Sequence, residues 1–355
     1  MNPYYDPDKP HHRPGGFQNN HVEFQPKSLA DVLRWRWNAA RQGLPPPPAA
    51  PIPKVAADLA FLARNALAGR DMQPNVTWIG HATVLAQLGG LTVLTDPVFS
   101  QRASPVAFVG PRRHHPPGVA LPDLPRVDLV LASHNHYDHL DAASVEALNR
   151  QAGGPPLFVV PLGLKPWLAA RGVRHAVELD WWQSHRLVSP TTGGEVEVML
   201  LPSQHWSARG LGDRMATLWG GFAVFAADCH LFYAGDTAYS RDFADVRARL
   251  AERQGEACGG GFDVALLPIG AYEPRWFMAP QHVNAAEAVQ IHRDLGAKWS
   301  LGVHWGTFEL SDEALDEPPR ALAAARAAQG VADQAFGVLA IGETRRLPPR
   351  TAPAA

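Results

Sequence analysis

Ser133-His134-Asn135-His136-Tyr137-Asp138-His139 is the stretch from which the rest of the chain becomes readable. It follows the apolar run Val130-Leu131-Ala132, which reads as a strand, and it precedes a helical pattern that begins near Asp141. The seven residues are therefore expected in a loop beyond a strand end, the kind of place where a rigid scaffold presents functional side chains. Between His134 and His139 the loop offers three imidazoles and a carboxylate, donors that suit Zn²⁺ or a similar borderline cation. Without a cation these groups would repel or desolvate one another. One ion using all four would keep no open position, so the pattern divides: His134 and His136 turn to one side, Asp138 and His139 to the other.

Each half then needs help from elsewhere, and three later positions offer it, each just past an expected strand. They are His205 after Val198-Met199-Leu200-Leu201, Asp236 after Phe232-Tyr233-Ala234-Gly235, and His304 after Leu301-Gly302-Val303. The expected assignment puts His134, His136 and His205 on a first ion, Asp138, His139 and His304 on a second, and Asp236 across both, with a water or hydroxide sharing the bridge. Two ions about 3.5–4 Å apart lower the pKa of a bound water toward 7 and clamp the attacked and leaving oxygens, which makes hydrolysis the natural reaction class.

Further out, Ser28 to Gln42 reads as a helix with Ser28 as N-cap and Leu29, Val32, Leu33 and Trp37 on one face, followed by the spacer Pro45-Pro46-Pro47-Pro48. A second short helix is expected near Val55 to Ala68. From about Pro74 the pattern changes to strands: Val76 to Ile79, then Val84 to Leu88 and Leu91 to Thr95 joined through Gly89-Gly90. Strands at 128–133 and 157–160 then alternate with helices at 142–149 and 165–170. Later strands are expected at 196–201, 219–226, 231–234, 264–267, 300–303 and 336–340, with a helix at 285–295. The pattern is mixed α/β. It divides the chain into an N-terminal arm over 1–73, a hydrolase domain over 74–346 and a frayed, Pro- and Ala-rich tail over 347–355.

The composition of the 355 residues, 46% hydrophobic and 19% charged, is that of a globular protein able to bury a substantial core. A formal net charge of -2 gives no basic field for a phosphate backbone, so no nucleic acid partner is expected. Cys229 and Cys258 are too few for a disulfide framework and are expected as unpaired thiols in a reducing compartment. The first twenty residues lack the cationic head and apolar run of a secretory signal. No stretch approaches the ~18 apolar residues of a transmembrane segment. The location expected is therefore cytoplasmic, with any membrane contact peripheral, at the inner face.

With these residues in place, the combination His134-x-His136-x-Asp138-His139, His205, Asp236 and His304 resembles the metallo-β-lactamase superfamily. A narrower resemblance is to the N-acylphosphatidylethanolamine-hydrolysing phospholipase D family. It rests on Trp78-Ile79-Gly80-His81-Ala82-Thr83, Leu94 to Ser100, Ser133 to Asp141, Gly235-Asp236-Thr237, Pro268 to Met278, Gln281-His282-Val283 and His304 to Phe308, and it covers about Pro74 to Leu310. The resemblance implies a four-layer αβ/βα sandwich of two mixed sheets flanked by helices. It also implies two Zn²⁺ per chain, with other divalent transition metals able to substitute. The implied reaction is attack of a metal-bridging hydroxide on the phosphorus of an N-acylphosphatidylethanolamine-like lipid, giving N-acylethanolamine and phosphatidic acid.

The catalytic set expected is Asp138, Asp236 and His282. Tyr137, between the two ligand pairs, is placed by the resemblance to hold substrate. His282 stands before a helix whose N-terminus favours anions, and is expected to contact the substrate phosphate or to give the leaving group its proton. Asp141 could orient a metal-bound histidine or cap the helix that follows. His81 and Asp96 could line the site but stay outside the ligand set, and His11-His12 and His114-His115 read as exposed loop pairs without a role. Tyr272, Trp276, Phe277 and Met278 offer either a wall for an acyl chain or ordinary core.

Two other readings remain at this point. One keeps the metals and changes the bond, a lactonase resembling the ascorbate-phosphate lactonase branch. The other is a non-catalytic binding protein on the same fold, against which the complete ligand set argues. The N-terminal arm, Arg209 to Met215 and the chain past Leu315 carry no matching pattern. Lipid access, membrane docking and a homodimer interface would be set there.

Overall fold

The structure, a computed structural model, describes residues 2–22, 25–210, 212–255 and 259–350. Two seven-stranded mixed sheets form its centre. The first runs in the order β16 (Thr344–Arg346), β3 (Asn75–Gly80), β4 (Thr83–Leu88), β5 (Leu91–Thr95), β6 (Leu129–Leu131), β7 (Leu157–Pro161), β8 (Ala176–Leu179). The second runs β15 (Phe336–Gly337), β14 (Ser300–Val303), β13 (Val264–Pro268), β12 (His230–Tyr233), β11 (Gly221–Phe225), β10 (Glu195–Leu201), β9 (Ser184–Val188). In each sheet an antiparallel half leads into a parallel half, which begins at the β5–β6 pair in the first and at the β12–β13 pair in the second.

Alternation along the strands explains the layering. Val84, Ala86, Val93, Leu129, Leu131 and Val159 face the second sheet and pack with Val198, Phe222, Leu231 and Tyr233. Their neighbours Leu85, Leu94, Val130, Phe158 and Val160 face outward, where α2 (Leu59–Ala66), α3 (Ala142–Asn149) and α4 (Lys165–Ala169) cover them through Leu62, Val145, Leu148 and Leu168. Successive strand residues point to opposite faces, so a strand buried on both sides must read as a continuous apolar run, as these do. On the far face of the second sheet lie α5 (Asp242–Arg249), α6 (Ala251–Gln254), α8 (Ala285–Leu295) and α9 (Glu317–Gln329), with the short α7 (Arg275–Met278) in the loop after β13. The result is helix, sheet, sheet, helix, the architecture the resemblance implies.

The N-terminal segment packs on this body. It opens with the small hairpin β1 (His12–Arg13) and β2 (Gly16–Phe17) and continues into α1 (Leu29–Gln42), which starts with a complete Ser28/Asp31 capping box. Of the face expected from Leu29, Val32, Leu33 and Trp37, Val32 packs inward against the Trp35, Phe277 and Met278 cluster, whereas Leu29, Leu33 and Trp37 are turned to solvent, at 75%, 61% and 66% exposure. Trp35 is the buried anchor instead: its ring packs on Phe277 and its Nε1 donates to Asp312. His11 and His12 are likewise buried rather than exposed, because Asp180 accepts from both rings, at 2.7 and 3.0 Å, and also receives Lys9 at 2.6 Å. Leu347 and Arg350, at the start of the expected tail, are buried, and Arg350 pairs with Asp263 at 2.9 Å. Residues 351–355 and Cys258 lie outside the described residues, while Cys229 is a buried free thiol.

Candidate metal centre

The strands that carry the expected ligands end on one edge of the sandwich, and their loops converge there. His134, His136, Asp138 and His139 follow β6, His205 follows β10, Asp236 follows β12 and His304 follows β14. His81 follows β3 and Asp96 follows β5. His81, Asp96 and His304 all take positive φ values, 54°, 29° and 63°, a conformation non-glycine residues hold only where the surroundings over-determine it. Gly235 lets the Asp236 loop close on the histidine loop, since a Cβ there would stand 2.7 Å from Ser133 Cβ.

Two groups of ligand atoms result. His134, His136 and His205 bring one nitrogen each within 4.8 Å of one another, with His134 Nε2 2.9 Å and His205 Nε2 3.4 Å from His136 Nδ1. Asp138, His139 and His304 form the second group, joined by His81. Asp236 stands between them: its Oδ2 is 3.1 Å from His139 Nε2, 3.9 Å from His134 Nε2 and 3.8 Å from His205 Nε2, and its Oδ1 is 3.2 Å from His304 Nε2. All seven expected ligands are thus brought together.

The outer nitrogens show why these rings face inward. His139 Nδ1 donates to Asp96 Oδ2 at 2.5 Å, and His205 Nδ1 donates to the Gln281 carbonyl at 2.8 Å. Ser133 gives its hydroxyl proton to Asp96, so His134 Nδ1, 2.9 Å from Ser133 Oγ, is the donor in that pair. With the proton held on the outer nitrogen, each Nε2 is left for the centre, the arrangement found around metal-bound histidines. Several buried nitrogens and acid oxygens converging without enough protons between them are the chemistry of a cation site. These clusters can bind metal.

The electrostatics agree. Burial, then neighbouring imidazoles, pushes His134 well below its ordinary range and His136 down to about 3, and burial pushes His205 down to about 4. Burial alone would raise Asp138 and Asp236, yet His139 beside them holds both well below the usual carboxylate range. Burial opposes a proton on His139 and His304, but the Asp236 and Asp138 carboxylates together outweigh it, raising His139 well above 6.5 and His304 to about 9. One half of the centre therefore holds neutral imidazoles ready to ligate, and the other holds protons in the place a divalent cation would take.

Asp96 and His81, expected only as residues that could line the site, gain definite partners, and Arg209 was not foreseen at all. Asp96 is the carboxylate that orients His139, and it also accepts from the Ser133 N–H at 2.7 Å and from the Tyr233 hydroxyl. His81 places Nε2 3.2 Å from Asp138 Oδ2 and its ring 4.0 Å from that of His304. The signal available was position alone: both end strands that lead into the same edge. Asp141 takes neither expected role, since it sits at the N-cap position of α3 without a capping bond and instead accepts from the Ser100 N–H and the Ser144 hydroxyl. Arg209, where no pattern was recognised, donates to the Asn135 and Leu140 carbonyls and stacks its guanidinium 4.1 Å from the Tyr137 ring centroid, which clamps the histidine loop. Of the other histidine pair, His115 is buried and bonded to Thr307, whereas His114 is exposed beside Glu309.

A cavity of about 300 Å³ opens over the centre, reached by His136, Asp138, Asp236, Tyr137 and His282. The buried His282 Nδ1 has no hydrogen-bond partner among the described residues and lies 3.8 Å from Asp236 Oδ2. Tyr137 lines the same space, its hydroxyl held by the Arg209 carbonyl at 2.7 Å. Phe277 and Met278 form part of an apolar wall with Trp35, Trp206 and Leu310. Tyr272 is buried away from it with its hydroxyl on Glu317, and Trp276 is 42% exposed under Arg34.

A family model described as the beta-lactamase superfamily domain matches residues 92–305. The chain is 42% identical over 240 residues to N-acyl-phosphatidylethanolamine-hydrolyzing phospholipase D 1 of Caenorhabditis elegans, covering 66% of this chain and 64% of that protein. It is 37% identical over 248 residues to the mitochondrial N-acyl-phosphatidylethanolamine-hydrolyzing phospholipase D of Saccharomyces cerevisiae, covering 69% of this chain and 50% of that one. An uncharacterised protein of Mycobacterium tuberculosis is 38% identical over 326 residues, covering 89% of this chain and 79% of its own length. Among solved structures, the isothiocyanate hydrolase from Delia radicum gut bacteria shares the fold at a TM-score of 0.59 and 19% identity, covering 77% of this chain and 99% of that one. The chain spans less than two thirds of the worm and yeast proteins it matches. On the matched domain, the paired seven-stranded sheets and the converging histidine and aspartate clusters able to hold metal, this chain belongs to the metallo-β-lactamase superfamily and is similar to the N-acylphosphatidylethanolamine-hydrolysing phospholipases D.

Proposed function

We propose that the chain is a binuclear zinc phosphodiesterase of the phospholipase D type. Its substrates are N-acylphosphatidylethanolamine-like lipids, cleaved to N-acylethanolamine and phosphatidic acid. The observation that carries the reading is the cavity in which Asp236, shared by two ligand groups, faces His282 Nδ1, which has no hydrogen-bond partner among the described residues, beside an apolar wall. When bound, two Zn²⁺ would supply an activated water at neutral pH and neutralise phosphate charge.

His134, His136 and His205 would hold one ion, Asp138, His139 and His304 the other, with Asp236 common to both and His81 steadying Asp138. His282, whose burial holds it well below its ordinary value, gains a proton when a phosphodiester anion lies against it, because an adjacent anion offsets that burial. It then gives the proton to the departing oxygen of the N-acylethanolamine. Tyr137 bounds the phosphate side, and Phe277 and Met278 take an acyl chain and keep bulk water off the reacting groups. In this reading the enzyme meets its lipid from the cytoplasmic face as a peripheral protein.

Turnover of bis-p-nitrophenyl phosphate and of a lactone panel, each with zinc-loaded and chelated protein, tests the reading. Zinc-dependent cleavage of the diester is expected. Turnover of lactones alone would favour the carbonyl chemistry, and no turnover of either with metal bound would sink both.

A further inference from the structure

Asn19, in the N-terminal segment, lies 186 residues from His205 and is bonded to it twice: Nδ2 donates to the His205 carbonyl at 2.9 Å, and Oδ1 accepts the His205 N–H at 3.0 Å. A side-chain amide that pairs with both polar groups of one peptide residue acts like a neighbouring strand, and it does so where β10 has already ended at Leu201. Asn19 is 6% exposed, and its Oδ1 also accepts from Trp219 Nε1 at 3.2 Å, so the amide's orientation is set by the core. The next contacts repeat the grip: Gln204 Nε2 donates to the Val22 carbonyl, and Asn20 Nδ2 donates to Asp242. Upstream, the Asp180 cluster with Lys9, His11 and His12 ties down the same segment through bonds of its own, none of which goes to His205.

His11, His12 and Asp180 also bring three donor atoms within 4.8 Å of one another, but the His12 tautomer argues against a cation there. His12 Nδ1 accepts from the Asp6 N–H, which places the ring proton on Nε2 and aims it at Asp180. A nitrogen so protonated cannot ligate, and Lys9 already supplies the positive charge.

We infer that Asn19 is a positioning residue for the metal centre, and that the N-terminal segment is part of the site. By fixing the backbone on both sides of His205 it sets where the Cα–Cβ bond starts, while Gln281 fixes the ring from its far nitrogen. A histidine held at backbone and outer nitrogen loses little freedom on ligation, so its metal affinity is higher than that of a loosely tethered one. The inference rests on the two-ion reading above, and it assigns Asn19 to the ion of His134, His136 and His205.

The test is cobalt(II) binding to the full-length chain, followed by visible absorption against a competing chelator, for wild type, Asn19→Ala and Asn19→Asp. Asn19→Asp keeps volume and the acceptor but sets a carboxylate oxygen against the His205 carbonyl, and it keeps the question open if Asn19→Ala does not fold. Asp180→Asn is the control for general loosening of the segment. The expected result is a drop of roughly 10–100-fold in affinity for one of two cobalt ions in both Asn19 variants. The second ion should be unchanged, and both affinities should hold in Asp180→Asn. Affinities equal to wild type for every bound ion would overturn the inference, as would an equal loss in Asp180→Asn. A wild-type chain that takes up one ion contradicts the two-ion reading itself. In that case the inference stands if the Asn19 variants bind that ion more weakly and falls if they do not.

Discussion

The Asp96 carboxylate accepts a hydrogen bond from His139 Nδ1 at 2.5 Å, inside a fully buried pocket where Ser133 and Tyr233 bond to the same group. This pair joins the two sheets' loops to the centre, since Asp96 directly follows β5, Tyr233 ends β12 and His139 belongs to the loop after β6. Holding the outer proton in place keeps the inner nitrogen basic and aimed.

Asp96→Asn should therefore weaken metal binding by roughly 10–100-fold without removing any ligand. Zinc competition against a chelator measures it. Affinity equal to wild type would mean that the Asp96–His139 bond does no more than pack the loop.

Asp236→Asn removes the charge that both ligand groups face, and metal content and activity should fall together. Metal analysis of the purified variant beside its turnover checks this. Full activity with two ions retained would overturn the shared-ligand assignment.

His282→Ala should behave in the opposite way, retaining both ions while kcat for a phosphodiester falls by about 10²–10⁴, the range for loss of a general acid. If metal content fell in step with turnover, His282 would belong to the ligand set.

A pH effect is expected from the N-terminal latch. Burial alone would raise the Asp180 carboxyl, but the bonds from His11 and Lys9 hold it well below the usual carboxylate range. A carboxylate depressed on folding stabilises fully above its unfolded pKa, ~3.9, and loses that contribution as pH falls through the folded value. The stability gap between wild type and Asp180→Asn, read from urea midpoints, should be open at pH 7 and narrow below about pH 4. A gap constant with pH would contradict this.

What was legible in the sequence was what is local. The His134 to His139 loop declared itself because four donors fall within six residues, and the central strands did so because burial on both faces leaves unbroken apolar runs such as Val264 to Leu267. Helix α8 was bounded by the Asn284 capping box and by Gly296 in the left-handed conformation. The partners of Asp96, His81 and Asn19 lie 43, 57 and 186 residues away, and no local pattern marks such a meeting. The same holds for His11 and His12, which a polar, Pro-rich neighbourhood made look exposed until Asp180 met them. On α1 the periodicity was real, but the buried face was chosen by one long-range contact, Trp35 with Phe277 and Asp312, rather than by the larger apolar stripe.

The central claim is hydrolysis of a lipid phosphodiester by water attack at phosphorus. It is tested most directly by incubating the zinc-loaded chain with N-acylphosphatidylethanolamine in ¹⁸O-water and analysing the products by mass spectrometry. One ¹⁸O is expected in phosphatidic acid and none in N-acylethanolamine, with the reaction stopped by a chelator. Label in N-acylethanolamine, or release of free fatty acid in its place, would contradict it.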